Sequence, residues 1–202
     1  SVRRFAARPD MVISDSRRFI FLAVPKTGSS SIELALEPYR SPSTGQFNKH
    51  ATCSRLRRDL PGAVWNSYFK FAFVRNPYDL MQSWYFYRQR EELAAPDHPR
   101  HHLYTGNLGF EEFILGFAKN ELMLRQVDFI APYGRGVQVD FVGRYESLER
   151  DLQQVCEHLG LAPLRLRRVR ASANEETGVN LWNRATRTVV NEYFAEDFTT
   201  FD

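Results

Sequence analysis

Cysteine is scarce: Cys53 and Cys156 are the only two in 202 residues, too few for a disulfide framework or a zinc ligand set. One bridge between them stays open as an alternative, but the place of Cys156 on an apolar helical face favours a buried free thiol. Long apolar runs are missing as well, and none approaches the ~20 residues of a membrane span. There is no internal repeat and no low-complexity tract. Charge of one sign is not in excess: a net +3 leaves no electrostatic footprint for nucleic acid. His98, His101 and His102 share one Pro-containing loop without a spaced cysteine or carboxylate set, so a solvated loop is favoured over a metal site.

What remains is the composition of an ordinary soluble globular protein, 43% hydrophobic and 25% charged, long enough to bury a real core. A single domain over residues 1–202 is expected. Strand-like and helical stretches alternate. Phe19–Val24 and Tyr68–Val74 are apolar runs of strand length, and Phe141–Gly143 is a shorter one. Thr52 is placed to cap a helix from Cys53 to Leu60, which Pro61-Gly62 ends. Phe110, Phe113, Ile114 and Phe117 have helical spacing. Leu148, Leu152, Val155, Cys156 and Leu159 trace one apolar helix face, stopped by Gly160. Val189, Val190, Tyr193 and Phe194 define a last amphipathic helix. This alternation predicts a P-loop-like α/β fold, a central parallel sheet with helices on both faces.

Chemistry concentrates at two strand ends. After Phe19–Val24 comes Pro25-Lys26-Thr27-Gly28-Ser29-Ser30-Ser31 and then an apolar-patterned segment, Ile32 to Leu36. Such a strand–loop–helix order turns backbone N–H groups toward one point at the positive end of a helix dipole, with hydroxyls and a lysine beside them. That arrangement suits a phosphate-like anion. It is not a Walker A loop, because Lys26 precedes Gly28 and no acidic strand end offers a magnesium ligand. After Tyr68–Val74 comes Arg75-Asn76-Pro77-Tyr78-Asp79, with Pro77 suited to the first helical position. Arg75 sits at the carboxyl end of a strand, where ligands collect in open α/β sheets, and Ser83 lies about two turns into the helix that follows. Two anion sites on neighbouring strand ends suggest a ligand with phosphates at both ends.

Together these two loops resemble the signature loops of sulfotransferases, enzymes that use 3′-phosphoadenosine 5′-phosphosulfate (PAPS). The branch they are most similar to contains carbohydrate O-sulfotransferases and bacterial relatives. Lys49-His50-Ala51-Thr52, Trp65–Phe71, Asp140–Leu148 and Tyr193–Phe198 fit that branch too. The resemblance implies that the amides of Thr27, Gly28, Ser29, Ser30 and Ser31, with the three serine hydroxyls, hold the 5′-phosphate. Lys26 would stabilise the leaving phosphate oxygen, and Arg75 and Ser83 would hold the 3′-phosphate. His50 is the candidate general base, and Tyr145 resembles a nucleotide-contacting tyrosine. No metal is needed in this scheme. The implied partner is a hydroxyl-bearing acceptor, a glycan or a small molecule, with no nucleic acid. Oligomeric state is not legible.

Three further readings complete the picture. Arg165, Arg167, Arg168 and Arg170 form either a solvated strand face or a cationic rim that attracts an anion by its field. Ala171–Glu176 falls where relatives carry a lysine-containing loop, and the lysine is absent here. The lack of a signal sequence, an apolar span and a cysteine framework favours a bacterial cytoplasm, with the Golgi lumen as the alternative for a trimmed catalytic domain. The competing functions are a P-loop-type ATP-dependent kinase and a non-catalytic nucleotide-binding module.

Overall fold

A computed structural model describes residues 11–42, 47–120, 125–167 and 181–201. Arg168, Arg170, the Ala171–Glu176 stretch and residues 43–46 of the loop after Ser41 lie outside the described residues, as does the side chain of Phe117. In chain order the elements are strands β1 (Val12–Ser14) and β2 (Phe19–Leu22), helices α1 (Ser29–Leu36), α2 (Cys53–Asp59) and α3 (Gly62–Ser67), strand β3 (Phe69–Val74), and helices α4 (Pro77–Arg88), α5 (Glu91–Ala94), α6 (Phe110–Asn120) and α7 (Gln126–Ile130). Strand β4 (Phe141–Arg144) and helices α8 (Leu148–Leu159), α9 (Arg184–Tyr193) and α10 (Ala195–Phe201) complete the chain. They divide between two compact units, Ser1–Val74 with Gln126–Val169, and Arg75–Arg125 with Arg170–Asp202.

The first unit holds the sheet, in the order β1-β2-β3-β4. Strands β2, β3 and β4 run parallel, with Leu22 opposite Ala72 and Val74 opposite Arg144. The carboxyl ends of β2 and β3 therefore lie side by side at one edge of the sheet. The central sheet is thus mostly parallel, as expected, with one addition at its edge: β1 pairs antiparallel with β2. At three residues, β1 is too short to show a period in sequence, and its return through Asp15–Arg18 is tight enough to join antiparallel neighbours directly.

Side chains alternate across a strand, so Phe19, Phe21, Phe71 and Phe73 share one face and Ile20, Leu22, Ala72 and Val74 the other. Both sets are buried, as a parallel sheet covered on both faces requires. The phenylalanine face packs with Ile32 and Leu36 of α1 and with Leu152, Val155 and Cys156 of α8. These are the apolar stripes that helical spacing predicts. The rings of Phe21 and Phe71 pack 5.1 Å apart between centroids, tilted by 30°, and each fully buried aromatic side chain contributes roughly 1.5–3 kcal/mol. Gly143 is required where β4 crosses this layer: a Cβ there would lie 2.4 Å from the Phe73 ring.

Helix ends follow local chemistry. Thr52 caps α2 by accepting from the Arg55 N–H, and Gly160 ends α8 in the left-handed conformation at φ 62°. Pro61-Gly62, read as a stop, also starts α3, with Pro61 at its N-cap. In the second unit, Asn76 caps α4 through the Tyr78 N–H, and Asn183 and Thr186 form a reciprocal capping box at α9. Leu80 and Met81 of α4, Phe110, Phe113 and Ile114 of α6, and Val190 with Phe194 make this unit's core. The amphipathic helix around Val189–Phe194 is α9, and α10 follows it. The long excursion between Ala94 and Gly109 carries a helical turn at His101–Leu103. Both cysteines are buried and free. Among the described residues, no helix is long and apolar enough to cross a membrane, and no cluster of His, Cys, Asp or Glu could hold a metal.

Candidate active site

The loop between β2 and α1 is built around two left-handed residues, Lys26 at φ 67° and Gly28 at φ 78°. Gly28 adopts this conformation freely, but a lysine held there costs on the order of 1–2 kcal/mol. Strain of that kind persists only where the surroundings impose it, and it collects at functional sites. The surroundings are visible. Thr27 is fully buried, and its Oγ1 donates to the Val24 carbonyl at 2.9 Å, closing the loop on itself. On the outer side, a Cβ at position 28 would lie 2.9 Å from Leu148 and 3.4 Å from the Tyr145 ring.

Helix α1 starts directly after Gly28, whose carbonyl accepts the first intrahelical bonds from the N–H groups of Ser31 and Ile32, at 3.0 and 3.2 Å. The amides of Ser29 and Ser30 precede these bonds, in the turn where a helix leaves its N–H groups unsatisfied. Ser31 has its amide engaged in the helix. Ser29 is buried, while Ser30, Ser31 and Lys26 are half-buried.

A second element meets this loop. The chain turns tightly from Asn48 to Ala51, closed by the Ala51 N–H on the Asn48 carbonyl at 3.0 Å. Lys49 and His50 occupy the two central positions. His50 Nδ1 lies 2.6 Å from the Ala23 carbonyl oxygen at the end of β2. A carbonyl can only accept, so Nδ1 carries the hydrogen, and Nε2 is the lone-pair nitrogen of the neutral ring. That is the tautomer a general base needs.

Lys49 Nζ donates to Ser30 Oγ at 3.0 Å and pairs with Glu33 Oε2 on the next turn of α1. Both partners are nearly inaccessible, with side chains 11% and 4% exposed, and Glu33 Oε1 is buried without a hydrogen-bond partner. Burial pushes the Glu33 carboxyl above its ordinary value, and the Lys49 ammonium is the main opposing influence. The ion pair ties the first helical turn to the His50 turn. In sequence Lys49 stands only as part of the Lys49-His50-Ala51-Thr52 stretch, with no role of its own, and Glu33 is passed over. Glu33 is an acid within the apolar-patterned stretch Ile32–Leu36, which was the one available signal.

Tyr145 reaches the loop from the turn between β4 and α8. Asp151 fixes that turn, accepting from the Arg144 N–H and the Ser147 hydroxyl at 2.8 Å each. Burial pushes this carboxyl up, but those two bonds together with the Arg150 guanidinium outweigh it and hold it below the usual range. A carboxyl lowered by folding adds stability above its unfolded value of about 3.8 and loses that contribution as pH falls through the lower folded value. Asp151→Ala is expected to cost about 1–3 kcal/mol at neutral pH, from the N–H and hydroxyl it strands. Urea unfolding of both proteins should show the gap closing in acid; a gap that widens would contradict this reading.

The structure thus brings Lys26–Ser31, His50 and Tyr145 together in the first unit, with Lys49 and Glu33 added. Arg75 and Ser83 belong to the second unit. Arg75 comes directly after β3, and Ser83 is a buried residue in the middle of α4.

The sequence matches the model of the sulfotransferase family over residues 9–202. The chain belongs to the sulfotransferase family. That membership assigns sulfuryl transfer as its general activity, and the match runs across both compact units. The chain is also similar to an uncharacterized protein of Archaeoglobus fulgidus, 29% identical over 114 residues that cover 52% of this chain and 79% of that protein.

Proposed function

We propose that this sulfotransferase takes its sulfuryl group from PAPS and delivers it to an acceptor hydroxyl, on a carbohydrate, with His50 as the base. The observation that carries this reading is the pairing of the strained Lys26–Ser31 loop with a histidine whose Nδ1 is committed to the carbonyl of Ala23. The two units act in this reading as one catalytic domain.

The residues present fit the donor. First-turn amides, serine hydroxyls and a lysine suit the phosphate to which the sulfuryl group is attached. Beside Gly28, 3.4 Å from where a Cβ would stand, lies the ring of Tyr145, an aromatic of the kind that packs against a nucleotide. Arg75 offers a permanently charged fork for the 3′-phosphate, with Ser83 as its hydroxyl partner. This assignment is supported by the motif and by its place after β3, the parallel neighbour of β2.

PAPS supplies a sulfuryl group already activated by attachment to a phosphate. His50 Nε2 accepts the proton of the acceptor hydroxyl as the acceptor oxygen bonds to sulfur. The bond between sulfur and the 5′-phosphate oxygen breaks, its electron pair stays on that oxygen, and 3′,5′-diphosphoadenosine departs. Lys26 and the first-turn amides neutralise the charge that grows there, in groups fixed before the reaction begins. By analogy with phosphoryl transfer, positioning and charge stabilisation supply most of the acceleration. No metal has a role in this scheme, and the expected compartment is a bacterial cytoplasm.

Transfer of labelled sulfate from PAPS to a panel of glycans, lipids and small alcohols tests the reading. Incorporation into sugars supports it. Incorporation confined to lipids or small alcohols would overturn the acceptor assignment. Tight PAPS binding without any transfer would leave a non-catalytic module.

A further inference from the structure

Apart from the loops described above, the first unit contains a cavity of about 90 Å³ between α2, α3 and the turn after α7. Its walls include Cys53, Ser54 and Arg57 of α2, Trp65 of α3, and Arg135 and Gln138. Among the described residues no acidic side chain lines it. The arginines of α2 divide sharply. Arg55 and Arg58 both pair with Asp59, at 3.4 and 2.7 Å. Arg57 instead donates to Gln138 Oε1 at 3.3 Å, and Gln138 is held by donating to the carbonyls of Arg135 and Gly136 at 2.9 and 3.3 Å.

Neither Arg57 nor Arg135 has a carboxylate partner among the described residues. The remaining titratable group is Cys53, whose thiol burial pushes up to about 11, so it stays neutral and offers no counter-charge. Two arginines line a small cavity, with a glutamine bonded to one of them and an aromatic wall in Trp65. At about 90 Å³ the cavity is roomy enough for one oxyanion group.

We infer that this cavity is a second anion-binding site, which takes a single sulfate or carboxylate group through Arg57 and Arg135. Recognition is by charge-assisted hydrogen bonds from the two guanidinium forks. The group comes either from free sulfate or from an acidic substituent on a larger molecule.

Calorimetric titration of the full chain with sodium sulfate tests this, with saturating 3′,5′-diphosphoadenosine present to occupy the Lys26–Ser31 loop. Arg57→Gln and Arg135→Gln should each weaken sulfate binding about tenfold, as loss of one charge-assisted bond predicts, and Arg55→Gln should leave it unchanged. Both target side chains are exposed, so these variants keep the fold. Titration with glucuronate and with glucose separates the sources: glucuronate alone binding in the same Arg57-dependent way marks a site for an acidic sugar. Sulfate and glucuronate both failing to bind, or binding equally well to Arg57→Gln and Arg135→Gln, would overturn the inference. Failure of the PAPS reading would show separately, as absence of diphosphoadenosine binding.

Discussion

His50→Ala will lower kcat by about two to four orders of magnitude, the range a positioned general base contributes, and will leave the affinity for 3′,5′-diphosphoadenosine nearly intact. The split between the two follows from how the ring is mounted. Its Nδ1 donates to Ala23, the residue after β2, and its backbone sits in a turn closed independently by Asn48 and Ala51. Removing the imidazole deletes the lone pair on Nε2. It does not remove the bond from Thr27 Oγ1 to Val24, nor the packing of Leu148 and Tyr145 close beside Gly28, which shape the anion loop. Steady-state kinetics and diphosphate titration on the same preparation read both quantities. An equal loss of turnover and affinity would make His50 a brace of the loop and remove it from the chemistry.

Lys49→Ala will destabilise the fold by about 3–5 kcal/mol, the cost of leaving a buried charge without its partner. For a chain of this length that is a fall in Tm on the order of 10 °C. Glu33 is 3% exposed, and one of its oxygens already lacks a hydrogen bond. Without the ammonium its carboxyl rises further above the ordinary range. A carboxyl raised by folding binds its proton more readily in the native state, so stability grows as pH falls through the raised value. The deficit of Lys49→Ala is therefore largest at neutral pH and narrows in acid. Replacing both partners, Lys49→Met with Glu33→Leu, should recover most of the loss, since an apolar pair carries no stranded charge. Denaturant unfolding across pH checks all three statements. A single variant within about 0.5 kcal/mol of the parent, the range of ordinary surface changes, would show that the ion pair bears no weight.

These two predictions also show where sequence is informative and where it stops. The strand–loop–helix around Lys26–Ser31 was legible because an apolar run, a glycine and an N-terminal helix pattern are all local. Helix α8 was legible because five apolar residues at helical spacing and Gly160 agree. Strand β1 was not, since Val12–Ser14 is too short to carry a period and forms by pairing with β2. Helix α3 was hidden because Pro61-Gly62 signals both an end and a beginning. The Lys49–Glu33 pair joins residues sixteen apart in sequence, and no local rule pairs them. Thr27 was read through its amide alone; that its hydroxyl turns inward to the Val24 carbonyl is set by folding. The tautomer of His50 is set by a carbonyl 27 residues away, beyond the reach of any motif.

The identity of the donor is tested most directly by calorimetry with 3′,5′-diphosphoadenosine and with ATP, each with and without magnesium. A PAPS-dependent enzyme will bind the diphosphate more tightly than ATP and will do so without the metal, and Arg75→Ala will remove that preference. Tighter binding of ATP with magnesium, or a diphosphate affinity untouched by loss of Arg75, would contradict the assignment.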